Sequence, residues 1–196
     1  IGIYLYRHDL APIAEMMHKA DMAQYYSKKN QRKWMFWSTR LREEQRQRDT
    51  IENGLRRALK EDEFFLEYQP QFSRCGSVTG LEALLRWRTP DGRLISPATF
   101  IPVAENSGLI LNISERVLAN TGAQLKLWQT QPGMETVRVS VNISPRQLKR
   151  SDFIRQTERI VSRSGVDPQR LSFEILESAL VSDIDDVQRK LAALRD

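Results

Sequence analysis

The stretch "GLEALLRW", residues 80–87, decides how this chain is read. Side chains of a strand alternate between its two faces. Ala83, Leu85 and Trp87 therefore share one side, and Glu82, Leu84 and Arg86 share the other. A carboxylate and a guanidinium stand two pleats apart on one face of a largely apolar segment.

Three other stretches repeat the pattern. In "FFLEYQPQF" (64–72), Glu67, Gln69 and Gln71 share a face. In "TVRVSVNIS" (136–144), Arg138, Ser140 and Asn142 lie opposite Val137, Val139, Val141 and Ile143. In "LSFEILES" (171–178), Ser172, Glu174 and Leu176 lie opposite Phe173 and Ile175. Strands buried under helices on both sides read as apolar throughout, whereas these four have one polar face each. Two readings follow: a solvated face, as in an antiparallel sheet, or polar faces converging on a common interior near the mouth of a barrel.

The segments between the strands favour the second reading. "SPATFIPVAENSG" (96–108) opens with Ser96 and Pro97, a cap and a first-turn proline. "ISERVLANTGAQLKLWQTQ" (113–131) carries Leu118, Thr121, Leu125 and Trp128 on one stripe. Residues 151–165 read as a helix capped by Ser151 or Asp152 and stopped by Gly165. "DIDDVQRKLAALRD" (183–196) opens on aspartates that suit a helix N-terminus. From Phe64 the order is two strands, helices, strand, helix, strand, helix, and the strands separated by helices are expected to pair in parallel in an α/β sheet.

On that reading Glu82, Asn142 and Glu174 supply oxygen ligands for a hard divalent cation such as Mg²⁺. Arg86 beside them is a phosphate clamp. The combination suits metal-assisted phosphoryl chemistry. Glu177 lies three residues after Glu174 and faces the other way in a regular strand, so its expected role is to anchor a loop.

Composition narrows the alternatives. The 196 residues are 40% hydrophobic and 28% charged, enough for a packed core. The single cysteine, Cys75, excludes a disulfide within the chain, and it reads as a reduced thiol. With only His8 and His18 beside it, a Cys/His zinc site is excluded. There is no run of about 18 apolar residues, hence no membrane-spanning helix, and no signal peptide is visible. A cytoplasmic location is expected, with any membrane tether lying before Ile1. The net charge of +5 is concentrated in residues 1–60, which hold 13 basic and 7 acidic residues. "KKNQRKWMFW" (28–37) mixes bases with aromatics. It reads as a solvated helix end followed by a strand whose aromatics enter a core, so DNA and RNA are not expected partners. Residues 10–29 read as a helix with Ile13, Met17, Ala20 and Tyr25 near helical spacing, and a domain boundary is expected near Ser38–Arg42.

The segments "YQPQF", "LEALLRW", "FIPVAENSGLI", "VSVNISPRQL" and "FEILES" occur in the order and approximate spacing of the EAL domain, which residues 64–196 resemble. The resemblance implies hydrolysis of cyclic di-GMP (c-di-GMP) to linear pGpG with Mg²⁺ or Mn²⁺ on a TIM-type (β/α) barrel. About four strands of that barrel fit after Phe64. It implies that Glu82, Asn142 and Glu174 are metal ligands, that Arg86 and Gln69 contact substrate, and that Glu177 steadies a later loop. Leu84 and Pro97 sit at family-typical positions where packing explains them. Residues 1–41 resemble the end of a GGDEF domain, through "IGIYLY" and "ADMAQYYSKKNQRKWMFW", with 42–63 as a connecting helix. Where that family often has "AKxxGRN", residues 27–33 read "SKKNQRK".

The EAL family also uses a paired-aspartate "DDFG", a lysine, a further glutamate and a glutamine. The chain stops before all of them, and "DIDD" (183–186) is not that motif. The expectation is a truncated fragment with negligible hydrolase activity, exposed strand edges and a tendency to associate. The alternative is a degenerate EAL domain that binds c-di-GMP or a protein partner without turnover. The resemblance also allows a homodimer through either domain.

Overall fold

The computed structural model describes residues 1–6, 12–29, 32–175 and 184–195. His8 and Glu177 lie outside the described residues. The chain divides into two compact units, Ile1–Ile51 and Glu52–Asp196. No helix among the described residues is long and apolar enough to cross a membrane.

In the first unit, β1 (Gly2–Ile3) pairs in parallel with β2 (Met35–Phe36), and α1 (Ile13–Lys29) packs on this pair. Gly2 is required because a side chain there would overlap the Ala20 carbonyl of α1. The stripe expected on α1 is corrected: Ile13, Met17 and Tyr25 are exposed, while Ala23 and Ser27 are buried. A two-stranded sheet is too narrow to cover the large side chains, so the small ones take the contact. The aromatics after Lys33 are corrected in part, since Trp37 is half-buried and meets Tyr4 at 5.7 Å between ring centroids. Met35 is buried, but Trp34 and Phe36 alternate to the other face, where they are exposed and meet edge to face. Helix α2 (Thr39–Ala58) starts at Ser38, whose Oγ accepts the Leu41 N–H at 3.0 Å.

The second unit holds a sheet in the order β3 (Phe64–Phe72), β4 (Val78–Arg88), β6 (Val139–Ile143), β7 (Leu171–Ile175), with the short β5 (Leu94–Ile95) also pairing β4. β4, β6 and β7 run parallel. β3 is antiparallel to β4, a pair outside the parallel expectation, which covered strands separated by helices. No helix separates these two strands. Residues 73–77 form a tight turn in which the Ser73 N–H donates to Ser77 O and Gly76 has φ +82°.

Helices α3 (Pro97–Ser107), α4 (Ile110–Trp128) and α6 (Phe153–Ser164) follow the expected order. Ser96 and Asp152 hold the N-cap positions of α3 and α6, but neither side chain makes a capping bond. Asp152 pairs with Arg150 at 2.6 Å instead. Between β6 and α6 lies α5 (Pro145–Leu148), fixed by a full capping box between Ser144 and Gln147.

One face of the sheet packs on α4, where Leu118, Thr121 and Leu125 are buried and Trp128 meets Tyr68 at 4.8 Å between ring centroids. Phe64, Trp87 and Phe100 form an aromatic cluster with centroids 5.6–6.1 Å apart. A second cluster joins Ile143, Leu148, Phe153 and Val187, the last on α7 (Ile184–Arg195).

Two predictions arise from this core. A Cβ at Gly54 of α2 would stand 2.8 Å from the Trp87 ring. That ring cannot yield, because it packs against Phe64 and Phe100 and its Nε1–H donates to Glu63. Alanine improves helix propensity by about 1 kcal/mol, but overpacking a core costs about 1–3 kcal/mol. Gly54→Ala is therefore expected to be net destabilising in chemical denaturation, whereas propensity alone predicts stabilisation.

The second concerns Glu63, buried and bonded to Arg57 Nε at 2.7 Å and Trp87 Nε1 at 2.8 Å. The Arg57 hydrogen bond, reinforced by Trp87, lowers the Glu63 pKa from its ordinary 4.5. A lowered carboxyl contributes stability above its unfolded value and loses it as pH falls through the native value. Denaturation midpoints followed from pH 7 to pH 3 should fall less steeply for Glu63→Gln than for the wild type. Parallel slopes would show that Glu63 contributes nothing to acid sensitivity.

Candidate functional site

The sheet face opposite α4 gathers the polar residues. Strand register places Gln69 across from Glu82, Glu82 beside Ser140, and Asn142 beside Glu174. Cross-strand partners point to the same side of a sheet. Period-two alternation thus brings Gln69, Gln71, Glu82, Arg86, Ser140, Asn142 and Glu174 to one face.

Hydrogen bonds lock this face together. Asn142 Nδ2 donates to Glu82 Oε1 at 2.7 Å. Gln71 Nε2 donates to Glu174 Oε1 at 2.8 Å and to Ser140 Oγ at 3.3 Å. Each carboxylate keeps a second oxygen outside these bonds, and Asn142 keeps its Oδ1. Among the described residues, neither Glu82 nor Glu174 forms an ion pair with a basic side chain. Two half-buried carboxylates without a counter-cation leave a concentration of negative charge on a solvent-reachable face.

The donor set suits a hard divalent cation: two carboxylates and an amide oxygen, with no sulfur or imidazole. It is not a cluster of three His, Cys, Asp or Glu, and no such cluster exists among the described residues. The third ligand is an amide, and only strand register brings it in.

Arg86 is on the expected face but is not free. Its Nε donates to Glu67 Oε2 at 2.6 Å and its Nη1 to Leu85 O at 3.1 Å. Leu84 lies half-buried between Glu82 and Arg86, and Pro97 opens α3. Three residues without an assigned role in the sequence reading join the site: Gln71 bridges two strands, Ser140 accepts from it, and Glu67 holds Arg86. All three lay on the polar alternation, and that was their signal.

Comparison with known proteins places these features in context. The EAL domain model matches residues 52–196. The signaling protein YkoW of Bacillus subtilis is 35% identical over 198 residues, covering all of this chain and 24% of YkoW. The bifunctional diguanylate cyclase/cyclic di-GMP phosphodiesterase MucR of Pseudomonas aeruginosa is 33% identical over 94% of this chain and 27% of MucR. The chain thus spans about a quarter of the length of these curated relatives. The solved MucR phosphodiesterase in complex with c-di-GMP superposes with a TM-score of 0.69 at 33% identity, over 74% of this chain and 59% of that one.

Proposed function

The chain belongs to the EAL domain family, and from that premise we propose that it forms part of a c-di-GMP phosphodiesterase hydrolysing c-di-GMP to pGpG in bacterial signalling. The observation that carries the reading is the pair of un-neutralised carboxylates, Glu82 and Glu174, on one sheet face with Asn142, which bonds Glu82 and stands beside Glu174 in register. These three residues would hold Mg²⁺ or Mn²⁺. When bound, the cation supplies Lewis acidity toward a phosphoryl oxygen and toward water.

The protein's own groups orient the ligands. Asn142 fixes the Glu82 carboxylate, and Gln71 fixes that of Glu174. Arg86 and Gln69 would bind the substrate on the same face, and Glu177 would anchor a loop. Parallel β4, β6 and β7 with intervening helices support a partial TIM-type barrel. The strand–helix–strand order of the first unit, with its parallel β1–β2 pair, supports a GGDEF-type tail over residues 1–41. A cytoplasmic setting and a homodimer through either domain fit the same reading.

The rival reading is a c-di-GMP receptor without turnover. Both readings share the face that carries Glu82, Asn142 and Glu174, and they differ in whether product forms. One experiment separates the two. The protein is incubated with c-di-GMP and Mg²⁺ or Mn²⁺, and pGpG is measured with and without EDTA, beside c-di-GMP binding by calorimetry. Metal-dependent pGpG supports the enzyme, and binding without product supports the receptor. Absence of both would refute the c-di-GMP reading.

A further inference from the structure

Two arginines, Arg86 and Arg88, share the polar face of β4, and they are not equivalent. Arg86 is compensated by Glu67 at 2.6 Å. Arg88 forms no ion pair with a carboxylate among the described residues, although three carboxylates lie near it. Two of those carboxylates are engaged elsewhere, since Glu63 takes Arg57 at 2.7 Å and Asp62 takes Arg116 at 3.0 Å, whereas Glu61 stands 3.8 Å from Arg57, beyond hydrogen-bond reach. The Arg88 guanidinium instead lies over the Phe65 ring, 4.6 Å from its centroid. Stacking of this kind holds the guanidinium plane while leaving its N–H edges available.

Arg88 and Phe65 line an open cavity of about 430 Å³ together with Glu61, Asp62, Thr89 and Pro90. It sits where β3 begins and β4 ends. We infer that this cavity binds a guanine base, with Arg88 as the donor to its acceptor edge and Glu61 as the acceptor for its donor edge. Guanine offers O6 and N7 to an arginine fork, and its N1–H and N2–H₂ suit a carboxylate. Adenine presents a donor where guanine presents O6, so Arg88 discriminates against it. A phosphate is disfavoured, because three carboxylates line the cavity. A base carries no charge and uses both signs of partner.

The inference rests on the c-di-GMP reading for the kind of ligand, and two sources share this chemistry: a base of the dinucleotide itself, or a separate guanine mononucleotide. Calorimetric titration with GMP and AMP tests the cavity without requiring metal or turnover. Saturable GMP binding is expected, with AMP about tenfold weaker. Arg88→Gln should weaken GMP about tenfold, and Glu61→Gln should bring GMP and AMP together. Both changes are at exposed side chains, and circular dichroism verifies that the variants fold.

Titration of Arg88→Gln with c-di-GMP then identifies the source. A parallel loss assigns the cavity to a base of the dinucleotide. An unchanged c-di-GMP affinity with weakened GMP assigns it to a separate mononucleotide. Undetectable GMP binding, equal binding of GMP and AMP, or GMP binding indifferent to Arg88→Gln would overturn the inference. If the wild type neither binds nor hydrolyses c-di-GMP but GMP binding still depends on Arg88, the c-di-GMP reading falls and the guanine site stands.

Discussion

In a polypeptide that carries these 196 residues together with a "DDFG" segment, Glu82→Gln is expected to lower metal-dependent c-di-GMP hydrolysis about a thousandfold, the rate equivalent of the several kcal/mol a Lewis-acid cation contributes. The substitution is chosen because it changes one quantity. Glutamine has the length of glutamate and can still accept the Asn142 Nδ2–H bond now made at 2.7 Å. The fold and the orientation of Asn142 are therefore kept, and only the negative charge is lost. Glu174→Gln is its counterpart, with the Gln71 bond at 2.8 Å retained. Binding of Mn²⁺, followed by electron paramagnetic resonance, should weaken in step with activity for both variants. A structural role for Glu82 predicts the opposite pattern: lowered stability with metal binding intact. A fall of less than tenfold in activity with unchanged Mn²⁺ affinity would remove Glu82 from the metal site.

The features that were legible in the sequence are those set by local periodicity. Alternation places each of Glu82, Asn142 and Glu174 on the polar side of its own strand, because a strand has a period of two whatever its neighbours. What alternation leaves open is register and direction. The antiparallel start of the sheet lay in the turn "SRCGS", where five residues and a glycine at positive φ reverse the chain. The rule linking helices to parallel strands does not apply where no helix intervenes. The pairing of Arg86 with Glu67 was hidden for the same reason, since it crosses two strands 19 residues apart. The exposure of Ile13, Met17 and Tyr25 has a different cause. Periodicity reports that a helix has an apolar stripe, but the size of the sheet it meets decides how much of that stripe is covered.

Arg170 lay on no alternation and in no motif, yet its replacement carries the largest stability effect expected in the second unit. It is 6% exposed, and its guanidinium faces three carbonyls rather than a carboxylate. Nε donates to Val137 O at 2.9 Å, Nη1 to Leu125 O at 3.2 Å and Nη2 to Met134 O at 3.0 Å. Leu125 belongs to the last turn of α4, where the helix dipole favours a cation. Met134 and Val137 belong to the segment leading into β6, and Arg170 itself directly precedes β7. One side chain thus ties a helix end to the starts of the two strands that carry Asn142 and Glu174. Arg170→Met keeps volume and removes every donor. The carbonyls of Leu125 and Met134 keep backbone partners at 3.2 and 3.3 Å, so Val137 O is the group most exposed to the loss. Hydrogen bonds to a charged group are worth about 1.5–3 kcal/mol, and a stranded carbonyl costs about 1–3 kcal/mol. A destabilisation of about 3 kcal/mol is expected, read as a shift in the denaturation midpoint at constant m-value. Arg170→Lys should recover only part of it, because one ammonium cannot reproduce the planar fork. Hydrogen exchange should show the early loss of protection in residues 134–143 and 171–175. A change below about 1 kcal/mol for Arg170→Met, near the level of ordinary surface substitutions, would mean that the three carbonyls are satisfied without the guanidinium.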